Sequence, residues 1–165
     1  MLTVREAGAP DRLALIPLLR EMSEFYAERR DDATLAGAAA TLTTPAGRAG
    51  PFCLIATEDG AARGFVSLCG FFPAFDFTWG LLLKDIFVAE SARGTGTARV
   101  LMTGMAQFAH RRGYTRIDWT TDGRNARARA FYAGLGVPIA DKPYYRITGD
   151  TLAAAARGAW PERVA

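Results

Sequence analysis

The stretch Leu83 to Ala98, LKDIFVAESARGTGTA, constrains the fold of this chain more than any other. Ile86-Phe87-Val88 is an apolar run of strand character, and Ala89-Glu90-Ser91-Ala92 is a short polar turn. Arg93-Gly94-Thr95-Gly96-Thr97-Ala98 is a glycine-bearing segment that leads into a long helical pattern. A strand that enters a helix through small residues presents the unpaired N–H groups of the helix's first turn, at the positive end of its dipole. Gly94 and Gly96 let the backbone come close to a phosphate. A phosphate-bearing ligand is expected there.

Spacing separates the motifs that share this grammar. The dinucleotide fingerprint G-x-G-x-x-G/A needs a small residue where Arg99 stands, and no βαβ repeat with a downstream ribose acid is evident. A Walker loop ends in G-K-[ST], which Thr97-Ala98-Arg99 does not supply. What remains is R-x-x-G-x-A, Arg93 to Ala98, directly after an apolar strand. Taken alone, this hexapeptide serves an ordinary strand-to-helix turn as well as it serves an anion.

The rest of the chain supplies the context. Leu2–Glu6 alternates as a first strand, and Pro10-Asp11 opens a helix with Leu13, Ile16, Leu19, Met22 and Phe25 or Tyr26 on its apolar face. The charged run Glu28–Asp32 precedes a second helix, Ala33–Leu42. Phe52–Thr57 and Gly64–Phe72 form a hairpin around Asp59-Gly60, followed by the aromatic loop Phe71–Trp79 and a strand over Gly80–Ala89. Gly96–Arg112 is the best helix, with Val100, Leu101, Met105 and Phe108 inward and His110, the single histidine, outward. Tyr114–Thr121 is a strand, Asn125 an N-cap for a helix to Leu135, Val137–Ala140 and Tyr144–Thr148 two short strands, and Asp150–Arg157 a last helix.

A length of 165 residues, 50% hydrophobic and 22% charged, suits one globular domain. No apolar run approaches the ~20 residues of a membrane helix, and Met1–Arg5 reads as strand and not as a secretion signal, so no membrane partner and a cytoplasmic location are expected. The charge balance of 20 basic and 17 acidic residues, net +3, carries no nucleic-acid motif. Cys53 and Cys69 lie in strand-like apolar runs and are expected as free thiols; no metal site is expected.

A second block, Asn125-Ala-Arg-Ala-Arg-Ala-Phe131-Tyr132-Ala-Gly-Leu135-Gly136, looks like N-x-x-A-x-x-F-Y-x-x-L-G. With Arg93–Ala98 before it, the chain resembles the GNAT superfamily of acetyl-CoA-dependent N-acetyltransferases over nearly its whole length. Phe72-Pro73, Leu83-x-Asp85-Ile86-Phe87-Val88 and Arg93-Gly94-Thr95-Gly96 are most similar to the diamine and histone/polyamine acetyltransferase branch.

The resemblance implies an α/β fold of the α+β kind, a single domain over 1–165 with a mostly antiparallel sheet of about six to seven strands flanked by helices. It implies acetyl-CoA as cosubstrate, an amine of a small molecule or peptide as acceptor, and a homodimer. Backbone groups of Ile86, Phe87 and Val88 would pair with the pantetheine arm, and N–H groups of Arg93, Gly94, Thr95, Gly96, Thr97, Ala98 and Arg99 would hold the pyrophosphate. Asn125 would bond the pantetheine arm. Tyr132 would sit near the sulfur and protonate the departing thiolate. The branch places a glutamate where this chain has Lys84, which leaves amine deprotonation to Asp85 or water. The competing reading is a catalytically silent acetyl-CoA-binding module or regulatory subunit.

Overall fold

The computed structural model describes residues 1–160, in two units: Met1–Thr120, and the remainder from Thr121 onward. The first unit contains β1 (Thr3–Glu6), α1 (Arg12–Phe25), α2 (Asp32–Leu42), β2 (Phe52–Glu58), β3 (Ala61–Phe71), β4 (Gly80–Val88), α3 (Thr97–Arg111) and β5 (Ile117–Trp119). The strands form one sheet in the order β1-β2-β3-β4-β5, antiparallel up to β4, with β5 parallel to β4.

Alternation along the strands gives the sheet two buried faces. Cys53, Ile55, Phe65 and Phe87 pack against Leu15, Leu18 and Leu19 of α1 and Leu35 and Ala39 of α2. On the other face lies α3, whose Phe108 ring is 5.1 Å from Phe52. The helix comes so close to the sheet that a Cβ at Gly104 would fall 2.5 Å from Cγ1 of Val4. Fully burying side chains of this size contributes about 1.5–3 kcal/mol each.

Several expected elements shift. The buried stripe of α1 is Leu15, Leu18 and Leu19, whereas Leu13 is 81% exposed. Leu13, Leu15, Ile16, Leu18 and Leu19 offer two overlapping apolar stripes, and the sheet selects the second. The Asp59-Gly60 hairpin and the exposed His110 stand as expected, and the second helix begins at Asp32 with Asp31 as its cap (Thr34 N–H to Oδ1, 2.7 Å).

The strand expected over Tyr114–Thr121 is confined to Ile117–Trp119. Tyr114 instead turns its side chain inward and donates its hydroxyl to the Arg48 carbonyl at 2.5 Å. Only Leu81, Leu82 and Leu83 of β4 are opposite β5, because the β3–β4 register slips immediately afterwards: Leu68 faces Leu83 but Ser67 faces Asp85, so Lys84 is an extra residue in a bulge.

The second unit contains α4 (Ala126–Ala133) and α5 (Gly149–Ala155). Its two expected strands do not form: residues 137–140 and 144–148 carry no ladder, and the sheet has five strands among the described residues. Pro138 interrupts the first segment and Pro143 precedes the second, each removing a backbone donor.

Candidate active site

β4 carries the first half of the site. On one side it pairs with β3 as far as Val88, and Ala89 N–H continues to the Arg63 carbonyl at 2.9 Å. By the alternation of an antiparallel ladder, Phe87 directs its N–H and C=O to β3, while Ile86 and Val88 direct theirs to the opposite side. That side is covered by β5 only as far as Leu83. An open backbone edge therefore remains at Ile86 and at the Val88 N–H, while the Val88 carbonyl accepts from Arg93 Nε at 3.2 Å. Of the three residues expected to offer backbone groups, Phe87 does not: its amide belongs to the ladder and its ring to the core, 6% exposed.

Beyond β4 the chain makes one tight turn over Glu90–Ala92 and enters α3 through Arg93, Gly94, Thr95 and Gly96. The N–H of Arg93 closes that turn on the Glu90 carbonyl, 3.1 Å, and so is unavailable to an anion. Among the described residues, the N–H groups of Gly94, Thr95, Gly96, Thr97 and Ala98 have no backbone acceptor, and no acidic residue occupies the first turn of α3. Arg99, in that same turn, is exposed.

Gly94 and Gly96 hold φ of 82° and 89°, the left-handed region, and a Cβ at either would meet nothing within 4 Å. The glycines are thus demanded by backbone conformation and not by crowding. The loop is stiffened from within. Thr95 Oγ1 donates to the Ala92 carbonyl at 2.7 Å and lies 2.9 Å from Oγ1 of the buried Thr97.

Asp85 is half-buried on the sheet face covered by α1 and α2, and its Oδ2 accepts from Ser67 Oγ at 2.6 Å. Lys84, at the bulge, is exposed. Cys53 is no nucleophile: burial, helped by the charge of Asp11, pushes its thiol up to about 12. A cavity of about 380 Å³ bounded by Glu6, Thr43, Phe52, Cys53 and Arg112 lies at the far end of α3 from the glycine loop and holds none of the site residues.

In the second unit Asn125 caps α4, its Oδ1 accepting from Ala128 N–H at 3.0 Å, which leaves the two donors of its side-chain amide nitrogen for another partner. Tyr132 is on the same helix, half-buried, its ring 5.4 Å from that of Phe131.

The family model for acetyltransferases of the GNAT type matches residues 14–137, a span that includes β4, the glycine loop, α3 and α4. The chain belongs to this acetyltransferase (GNAT) family. Acetyl-CoA is the cosubstrate of the family, and its members are enzymes of acyl transfer.

The uncharacterized N-acetyltransferase YhfO of Bacillus subtilis is 30% identical over 135 residues, 82% of this chain and 89% of that one. The L-ornithine N5-acetyltransferase NATA1 of Arabidopsis thaliana is 32% identical over 98 residues, 59% of this chain but 43% of that longer protein. An integron cassette protein from the mobile metagenome of V. cholerae is similar in structure, with a TM-score of 0.84 at 27% identity, covering 94% of this chain and 98% of its own.

Sequence reasoning overlooked one residue that contacts the turn before the glycine loop. Glu21 of α1 accepts the Glu90 N–H on Oε1 at 2.6 Å, and the same oxygen is 3.8 Å from the Arg93 guanidinium. No local pattern marks it, because its partners lie about seventy positions away in the chain.

Proposed function

We propose that this GNAT protein transfers the acetyl group of acetyl-CoA to a primary amine of a small molecule or peptide. The observation that carries this reading is the open edge at Ile86 and Val88 running into five consecutive N–H groups, Gly94 to Ala98. An arm bearing amides suits such an edge, and a pyrophosphate suits such a loop. The donor set therefore fits the cosubstrate, which supplies an acetyl group activated as a thioester.

In this reading the amide groups of Ile86 and Val88 align the pantetheine arm, and the Gly94–Ala98 N–H groups hold the pyrophosphate with Arg99 beside them. The side-chain amide nitrogen of Asn125 donates to the arm. Asp85 takes the proton that an ammonium must lose before its nitrogen has a lone pair, and Tyr132 gives a proton to the departing sulfur. We take the chain as one acyltransferase domain, since the family match crosses both units, working in the cytoplasm as a homodimer without a nucleic-acid partner.

The acceptor is narrowed by Lys84. A cation at the bulge beside Asp85 disfavours polycationic diamines, the substrates of the branch the motifs resemble, and favours an amine that carries its own carboxylate. The likeness to an enzyme named for L-ornithine, whose side-chain nitrogen is a primary amine, supports that class.

Lys84 also favours a second reading, a silent acetyl-CoA-binding module, because it replaces the carboxylate of the branch. Thiol release from acetyl-CoA across a panel of amino acids, polyamines, aminoglycosides and lysine peptides separates the two. Amine-dependent release supports the enzyme. CoA binding without release under any acceptor supports the module.

A further inference from the structure

We infer that Glu21 is a positioning residue for the cofactor loop, acting through Arg93, and that the Arg93 side chain is a strut and not a phosphate ligand. The inference rests on the proposed seat of acetyl-CoA at Gly94–Ala98. Among the described residues, the contacts of the Arg93 guanidinium group are with β4, α1 and two aromatic rings. Nε donates to the Val88 carbonyl at 3.2 Å, Nη2 lies 3.8 Å from Glu21 Oε1, and the group sits over the rings of Phe25 and Phe87 at 5.4 and 5.7 Å. Glu21 reaches from α1 to hold the N–H at the start of the Glu90–Ala92 turn, while Arg93 ties the end of that turn back to β4. The turn is clamped at both ends, and the donor run begins at the next residue, Gly94.

Two pictures of Glu21 predict opposite signs. As a bystander, it is a negative charge near an anion site, so removing it should tighten CoA binding or leave it unchanged. As a clamp, it keeps the loop in its binding geometry before the ligand arrives, so removing it should weaken binding because the ligand must then order the loop itself.

The test is the calorimetric Kd of CoA with the full chain. Glu21→Gln keeps an acceptor for the Glu90 N–H but loses the charge facing Arg93; a partly exposed ion pair of this kind is worth about 2–5-fold. Glu21→Ala loses the acceptor as well, and about 10-fold weakening or more is expected. Glu24→Gln, three residues further along α1, is the matched loss of one charge and should not weaken binding.

In an Arg93→Gln background Glu21→Gln should have no further effect, because its route is gone. Tighter or unchanged binding in a folded Glu21→Gln protein, or additive losses in the double variant, overturns the inference while leaving the seat of acetyl-CoA intact. Failure of the unaltered protein to bind CoA overturns both.

Discussion

Ser67 and Asp85 face each other directly across the β3–β4 ladder, one residue past the bulge at Lys84, and the serine hydroxyl donates to the carboxylate at 2.6 Å. The bond fixes one carboxylate oxygen, Oδ2, and with it the orientation of the carboxylate. Asp85→Asn retains an acceptor for Ser67 and so preserves the local packing, but it removes the proposed base. A loss of about 10²-fold in kcat/KM for the best amine is expected, with CoA affinity and melting temperature unchanged. Steady-state kinetics check it, and full activity in Asp85→Asn would assign deprotonation to water.

In the proposed function, the charge beside that carboxylate governs the choice of acceptor. Lys84→Glu reverses the sign at the bulge and should raise kcat/KM for spermidine, about 5-fold or more, while lowering it for amino-acid acceptors. Competition assays with the two amine classes measure the shift. A preference for spermidine over all other amines in the unaltered protein would contradict the role given to Lys84.

Because space is open at Gly96 and its φ is 89°, an added side chain harms through backbone conformation alone. Gly96→Ala and Gly96→Val should therefore both weaken CoA binding, and both should lower stability by about 1–2 kcal/mol. Calorimetry and thermal melts on the pair of variants test this. Loss of binding in the valine variant with an unaffected alanine variant would indicate a clash with the ligand instead.

Tyr132→Phe removes one oxygen from a half-buried side chain whose ring packs on Phe131. Fold and CoA affinity should survive, while kcat falls by about 10²-fold or somewhat less, since a CoA thiolate is already a fair leaving group. Unaltered kcat would mean that another group or water supplies the proton.

Acid stability should depend on Asp11, which is 8% exposed and receives Arg5 on both carboxylate oxygens, at 2.6 and 2.7 Å, with the Gly8 N–H at 2.9 Å. The Arg5 hydrogen bonds hold its carboxyl below the usual range against the opposing effect of burial. In the window below the ordinary aspartate value, about 4, the unfolded chain thus binds more protons than the folded one, and stability rises with pH. The contribution of Asp11 is fully present above that value and is lost as pH falls through the lowered one. Melting temperatures between about pH 2 and 6 should drop more steeply for the unaltered protein than for Asp11→Asn.

Much of this architecture is written locally. The Asp59-Gly60 turn, the Asp31 and Asn125 caps and the glycines before α3 each follow from the conformational needs of a few neighbouring residues. The resemblance likewise pointed to β4 and the Arg93–Ala98 loop. What escaped depends on partners distant in sequence. The buried face of α1 is chosen by the sheet, the length of β5 by a bulge in its neighbour, and Glu21 by a turn on the far side of α2 and three strands. The rule that backbone donors alternate, applied to β4, would have excluded the Phe87 amide from the open edge, but only once β3 was known to run to its end.

The half-open edge of β4 has a further consequence, for a protein that must stay dispersed. Unpaired strand edges invite strands from other molecules. Here the Val88 carbonyl is already engaged by Arg93, a lysine stands at the bulge, and β5 covers the three rungs before it. The stretch left open is too short to template a foreign strand, which needs several successive rungs, yet long enough for a narrow ligand with one or two amides. The features that shape the edge for a ligand thus also keep it from acting as a seed for aggregation.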